Sequence, residues 1–310
     1  MSSENRAVNR LLVVGYDGAT WDLAEKWAQV GKLPVLARLM KQGGYGPLRS
    51  VMPILSPAAW ASFATGVQPG KHGIFDFVER SQGDYHLRPV TALDMKAPTF
   101  WRLASQAGKR VAVINVPVTY PPAEVNGIMV TGLGTPEQRP FTFPPALGPE
   151  LRARGYRVNR TVFFEPGREE AYLQDVYEMT DRLAEAALGL FRREAWDLFV
   201  VVFRDLDELS HYFWKHMDAT HPQHDPLTDV RYQDEILKFY QHLDQKLGTL
   251  LEAAGPEVNV ILVSDHGFGP LYRDVFLNEW LKQEGLLATV AVVQPPLQRE
   301  IGRASCRERV

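Results

Sequence analysis

LLVVGYD, Leu11–Asp17, is the stretch that decides the fold: a short apolar run that stops on a carboxylate. Two more stretches repeat the pattern, LFVVVFRDLD at Leu198–Asp207 and VNVILVSD at Val258–Asp265. Near-continuous runs rich in valine read as strands buried on both faces, the signature of parallel pairing. Ligands of open α/β sheets gather outside the carboxyl ends of such strands, so three acidic groups placed there can converge. Convergent carboxylates are what a metal site needs.

Working outward, the other segments alternate with these strands. Helical patterns follow the first strand through Trp21, Leu23 and Trp27, and again over Pro34–Gln42, where proline opens the helix and Gly43-Gly44 closes it. Leu55-Ser56-Pro57 opens a short helix that Gly66 stops, and turn residues fill Val67 to Gly73. A helix over Ala97 to Ala107 leads to strands at Val111–Val116 and Gly127–Thr131. A long amphipathic helix from about Glu169 to Arg193 precedes the second acidic-ended strand, and another from Val230 to Ala253 precedes the third. Alternating helices and strands predict an α/β layered fold, a central mostly parallel sheet flanked by helices. Residues Thr135 to Gly167 are rich in proline, glycine and arginine and read as an insertion lying over the sheet rather than in it.

The chain has 310 residues, long enough for one large α/β domain or two smaller ones. Its net charge of -3 and dispersed lysines and arginines disfavour bulk nucleic acid as a partner. The polar start MSSENRAVNR and the short apolar run after it exclude a signal-peptide core or membrane span there, so a soluble cytoplasmic protein is expected. Cys306 is the only cysteine, so no internal disulfide forms, and any metal must be held by oxygen and imidazole. Glu300–Val310, EIGRASCRERV, reads as a translation of a common sequencing-library adapter. A non-native tail at 300–310 is therefore expected, with the natural chain continuing past about Arg299. The body, 1–299, is read as a single catalytic domain incomplete at its C-terminus.

Several residue types stand where chemistry would use them. Asp207 and His211 are four apart, so on a helix they share a face roughly 5–6 Å apart at Cβ and can hold one ion. Carboxylate with imidazole suits zinc, with manganese or iron as other candidates. Asp265-His266-Gly267 turns at the end of a strand, which lets adjacent ligands reach one ion. Ser56 is the candidate nucleophile, although serine before proline is equally a helix N-cap. The two readings agree, because a helix N-terminus offers N–H groups and positive dipole to an anion such as phosphate. In KHMDATHPQHDP, His216, His221 and His224 with Asp218 and Asp225 read as a solvated loop, given Pro222 and Pro226. Lys71 and His72 read as organisers of the turn after the Ser56 helix.

Taken together, LLVVGYDGATWD, SPAAWASFATGVQPGKHGIFDF, FRDLDELSHYFW and LVSDHGFGPLYRDVFLNEWL resemble the type I phosphodiesterase and nucleotide pyrophosphatase family of the alkaline phosphatase superfamily. The resemblance runs in order from Leu11 to about Leu287. It implies an alkaline-phosphatase-like layered fold and two divalent ions, usually zinc, at the carboxyl ends of the sheet. Asp17, Ser56, Asp265 and His266 would hold one ion, and Asp207 with His211 the second. Asp205 competes in that segment, but only Asp207 stands four before His211. The family's nucleophile, nine positions before the threonine of its Thr-Gly pair, falls on Ser56, since Thr65-Gly66 is that pair here. The implied reaction is a two-step in-line displacement through a phosphoserine, with metal ions roughly 4 Å apart at the attacking and leaving oxygens.

The sequence departs from the resemblance in two places. Eukaryotic relatives have asparagine three residues after the nucleophile, and here that position is Ala59. The second ion usually takes a downstream histidine, and no histidine follows His266. The expected function is hydrolysis of a small-molecule phosphoric ester, of the diester type, with Phe75 to Val90 and Thr135 to Gly167 shaping specificity. A phosphoryl-group transferase or mutase, or a phosphate-binding protein without catalysis, are the alternatives. A sulfatase is not expected, because Ser56-Pro57 lacks the Cys/Ser-x-Pro-x-Arg pattern.

Overall fold

The computed structural model describes residues 10–81, 86–227 and 229–288. Arg299, the 300–310 tail and Cys306 lie outside them, as do residues 1–9. The described strands are β1 Arg10–Tyr16, β2 Val78–Arg80, β3 Leu87–Pro89, β4 Val111–Val116, β5 Gly127–Thr131, β6 Thr142–Phe143, β7 Leu198–Phe203 and β8 Val258–Val263. The helices are α1 Trp21–Gln29, α2 Pro34–Gln42, α3 Ser56–Thr65, α4 Pro69–His72, α5 Phe100–Gln106, α6 Leu147–Ala153, α7 Glu169–Phe191, α8 Asp205–Met217, α9 Glu235–Ala254 and α10 Leu277–Gln283. None is long and apolar enough to cross a membrane.

Six strands form one sheet in the order β6-β5-β4-β7-β1-β8, all parallel except β6, which runs antiparallel to β5. The α/β layered fold expected from the three runs is the fold observed. Alternate residues of each strand serve opposite faces, as a period of two requires. Leu12, Val14 and Tyr16 of β1 join Phe199, Val201 and Phe203 of β7 in a core covered by α1, α2, α7, α8 and α9. Val13, Val200 and Val202 point the other way, against Trp60 and Ala64 of α3 and Trp101 of α5.

Register is what delivers the acidic groups to one place. Tyr16 pairs with Phe203 and Gly15 with Val263, so the chain leaves β1, β7 and β8 at one level. The Asp17 amide donates to the Phe203 carbonyl at 2.9 Å and extends the ladder by one step. Helix ends are tied across the fold: Asp244 of α9 accepts from the Val35 and Leu36 amides at 2.9 and 2.8 Å, capping α2, which has no cap of its own.

Two local expectations are corrected. Thr142–Phe143 pairs with Met129–Val130, so part of the 135–167 segment is the sheet's edge strand. Leu147 and Leu151 of α6 are buried in the main core, which anchors the segment there. The loop histidines are not all solvated either. His216 is buried against the Asp229 carboxylate, and His224 Nδ1 lies 3.2 Å from the other Asp229 oxygen. Burial holds His216 below the usual imidazole pKa, and Asp229, outside the expected cluster, organises the loop.

Candidate active site

Asp17 sits one residue beyond β1, buried, with Gly18 turning the chain at φ +68°. Trp60 Nε1 donates to Asp17 Oδ2 at 2.8 Å, and Ser56 Oγ donates to Asp17 Oδ1 at 3.2 Å. Ser56 and Trp60 are one helical turn apart on α3, so one helix face presents both groups to the same carboxylate. Leu55, not Ser56, occupies the N-cap of α3, and no side chain caps it. Ser56 is the first helical residue and Pro57 the second, so the serine hydroxyl is turned to the cluster instead of back to its own helix.

The Asp-His-Gly turn after β8 completes the arrangement. Gly18 N–H donates to Asp265 Oδ1 at 3.3 Å, while Ser50 Oγ donates to the Asp265 carbonyl at 2.6 Å. His266 Nδ1 is 2.9 Å from the Gly267 carbonyl. A carbonyl only accepts, so Nδ1 carries a hydrogen, and Nε2 is the nitrogen turned to the carboxylates. That nitrogen lies 3.2 Å from Ser56 Oγ, 3.3 Å from Asp265 Oδ2, 3.5 Å from Asp17 Oδ1 and 3.9 Å from Asp207 Oδ1. His211 Nε2 is 3.3 Å from Asp207 Oδ2, the other oxygen of the same carboxylate. All six residues singled out in the sequence, Asp17, Ser56, Asp207, His211, Asp265 and His266, therefore meet in one cluster.

Like charges crowd this pocket. Burial first, and then the Asp265 and Asp207 charges, push the Asp17 carboxyl well above the usual range. Burial and then Asp207 push Asp265 up to about 8. Asp207 Oδ1 and Asp265 Oδ2 are buried with no hydrogen-bond donor from any described residue. Ligand atoms of Asp17, Asp207 and His266 fall within 4.8 Å of one another. Buried lone pairs facing each other without donors are costly unless a cation lies between them, so the donor set fits a divalent ion held by oxygen and imidazole.

The competitor Asp205 is accounted for elsewhere. Its carboxylate takes Arg160 Nη2 at 2.8 Å and the Thr180 hydroxyl at 3.0 Å, while Arg160 Nε lies 2.8 Å from Glu208. This buried pair fastens the 135–167 segment to the first turn of α8 and turns Asp205 away from the cluster. Arg160→Met should lower stability by about 3 kcal/mol, because it strands a buried charge. A urea denaturation midpoint equal to the parent's would contradict that role.

In the sequence Gly18 reads only as part of the turn after Asp17, and its steric role was missed, yet the site depends on it. A Cβ there would stand 2.8 Å from Asp207 Oδ1 and 3.0 Å from the Asp207 Cα, at a left-handed φ that side chains resist. Gly18→Ala should destabilise the protein by about 1–2 kcal/mol and weaken divalent-ion uptake, both readable by calorimetry. Trp60 was missed too, though its spacing from Ser56 was a usable signal. His72, by contrast, organises its turn as expected, buried with Nε2 2.8 Å from Ser62 Oγ and Nδ1 accepting from the Ile74 amide at 3.1 Å.

The sequence profile of the type I phosphodiesterase / nucleotide pyrophosphatase family matches residues 11–308. The chain belongs to this family. Solved structures with a similar fold include phosphonoacetate hydrolase from Sinorhizobium meliloti 1021 in complex with phosphonoacetate. It is 18% identical with a TM-score of 0.57, and the match covers 90% of this chain and 62% of that one. Another is murine ectonucleotide pyrophosphatase / phosphodiesterase 5, an inactive variant in complex with AMP, at 18% identity and TM-score 0.53, covering 84% of this chain and 57% of that one. A 2-O GAG sulfatase shares the fold at 12% identity and TM-score 0.52, covering 86% of this chain and 61% of that one. Comparison with curated protein sequences gave no significant match. The chain thus spans about three fifths of the length of the solved family-like proteins it matches.

Proposed function

We propose that this protein is a metal-dependent phosphoric ester hydrolase of the diester type, acting on a small-molecule substrate through a phosphoserine on Ser56. The observation that carries the reading is Ser56 Oγ, buried at the start of α3 and 3.2 Å from both Asp17 Oδ1 and His266 Nε2. Family membership supports the reaction class.

The residues divide the work in a way the geometry allows. Asp17, Asp265 and His266 would hold one divalent ion beside Ser56, and Asp207 with His211 a second, zinc fitting this donor set best. Such ions would lower the pKa of the serine hydroxyl and neutralise the phosphoryl oxygens. Trp60 Nε1 pins Asp17 and thereby the direction of the Ser56 hydroxyl. The first-turn N–H groups of α3 aim positive dipole at a phosphoryl anion, a role left vacant by the alanine at position 59. In the first step Oγ gives up its proton and bonds to phosphorus while the phosphorus–ester oxygen bond breaks, and the leaving oxygen departs as the alcohol carrying a proton; in the second, water oxygen bonds to phosphorus, the Oγ–phosphorus bond breaks, and Oγ takes a proton from that water. The single catalytic domain over 1–299 and the cytoplasmic setting expected from the sequence are parts of this proposal.

Release of 4-nitrophenol from bis(4-nitrophenyl) phosphate by the full chain tests the reading, with an added alcohol to reveal transfer. Dominant transfer to the alcohol would move the assignment to a phosphoryl-group transferase. Absence of turnover with every divalent ion tried would reject catalysis.

A further inference from the structure

The indole of Trp60 is built into the carboxylate cluster from the α3 side. Trp60 is fully buried, with its ring edge-to-face against Phe63 at 5.6 Å, and Phe63 in turn meets Phe100 at 5.4 Å. Beneath it β1 carries Gly15, two residues before Asp17; a Cβ there would stand 2.5 Å from Trp60 Cη2 and 2.9 Å from Val202 Cγ2. A glycine inside a strand weakens the strand and marks a place where another group comes close. Here that group is the indole, which crosses β1 at the missing side chain and delivers Nε1 to Asp17 Oδ2 at 2.8 Å. Ring contacts with β1 and with Phe63 fix the direction of that N–H.

The three carboxylates are thereby made unequal. Asp207 Oδ1 and Asp265 Oδ2 are buried without a donor from any described residue, so each keeps an oxygen open to a cation. Asp17 has the indole N–H on Oδ2 and turns Oδ1 alone to Ser56 Oγ, 3.2 Å away, and to His266 Nε2, 3.5 Å away. An N–H aimed at a carboxylate oxygen occupies a lone pair and carries a partial positive charge, so it opposes a cation at the same oxygen. A carboxylate offering one oxygen suits zinc, which takes few donor atoms at close range; larger ions that seek six or more oxygens gain more from a carboxylate that grips with both. We propose that Trp60 sets the ion preference of the site, holding Asp17 to ligation through one oxygen and so favouring zinc over manganese. It is a positioning residue, acting through Asp17. This role rests on the metal-dependent reading of the cluster and goes beyond it, to which ion the protein selects.

Two replacements separate the donor from the ring. Trp60→Phe removes the N–H and part of the ring, whereas benzothienylalanine introduced at position 60 keeps the ring's size and puts sulfur where the N–H was. Zinc and manganese affinities of the full chain are measured by calorimetry. The visible spectrum of the cobalt(II) form is recorded beside them, because four-coordinate cobalt absorbs far more strongly than cobalt of higher coordination. Zinc outranks manganese at most sites of nitrogen and oxygen donors, so the change in their ratio is the readout. Both replacements should lower the zinc-to-manganese affinity ratio about tenfold, equivalent to ~1.4 kcal/mol, and weaken the cobalt bands. If Trp60→Phe does not fold, the benzothienylalanine protein decides alone. Retention there of either the parent's ratio or its cobalt spectrum overturns the role of the N–H, whatever Trp60→Phe shows, and leaves the metal site standing. If the parent chain takes up neither zinc nor manganese, the metal-dependent reading fails and the role of Trp60 falls with it.

Discussion

Ser56→Ala is expected to lower kcat by on the order of 10³-fold or more, because it removes the atom that forms the covalent bond while leaving the rest of the pocket in place. Alanine fits the site without strain: Ser56 is the first residue of α3 and does not cap it, so the helix loses no hydrogen bond of its own. Substrate should still bind, since the carboxylates, His266 and the helix N-terminus remain. A quenched reaction with a ³²P-labelled diester should show label on the parent chain and none on the variant. Turnover within tenfold of the parent would end the nucleophile assignment, and label retained on Ser56→Ala would move it to another residue.

Divalent zinc or manganese is expected to raise the thermal midpoint by about 5–10 °C when present at about a hundred times its dissociation constant. At one fixed metal concentration the gain should be larger at pH 8 than at pH 5, and the sign follows from the raised carboxyls. In the metal-free protein Asp265 titrates at about 8, with Asp17 also raised, whereas in the unfolded chain both ionise near the ordinary carboxylate pKa. Between those limits the folded protein binds more protons than the unfolded one, so metal-free stability falls as pH rises toward 8. A cation favours the ionised forms and competes with those protons, so it binds more tightly as pH rises. Scanning calorimetry at pH 5 and pH 8, with and without metal, measures both effects. A metal-free midpoint that climbs over this interval, or a metal gain confined to pH 5, would contradict the account.

Much of the fold was legible because the strands announce themselves. β1, β4, β7 and β8 are short, apolar and bounded by polar turns; burial on both faces demands that composition of β4 and β7, while β8, at the edge of the described sheet, has it although only partly buried. The short elements carried no comparable signal. β6 has two residues and depends on its pairing with β5, and α6 is held by burial of Leu147 and Leu151, which no local pattern reveals. The loop histidines misled for the same reason: two prolines and several polar residues read as solvent-exposed, but Asp229 stabilises His216 in a buried place. At α3 the serine-proline pair pointed to a helix start, and only the backbone showed that Leu55 takes the cap.

By itself, the sequence determined the α/β class, the order of its principal elements and the residue types able to hold a divalent ion, since periodicity and side-chain chemistry are local properties. Tertiary structure alone decided that Asp207 enters the cluster while Asp205 is drawn to Arg160, and that Gly18 must lack a side chain. Each of these depends on groups far apart in the chain, brought together by strand register and by the helices packed against the sheet.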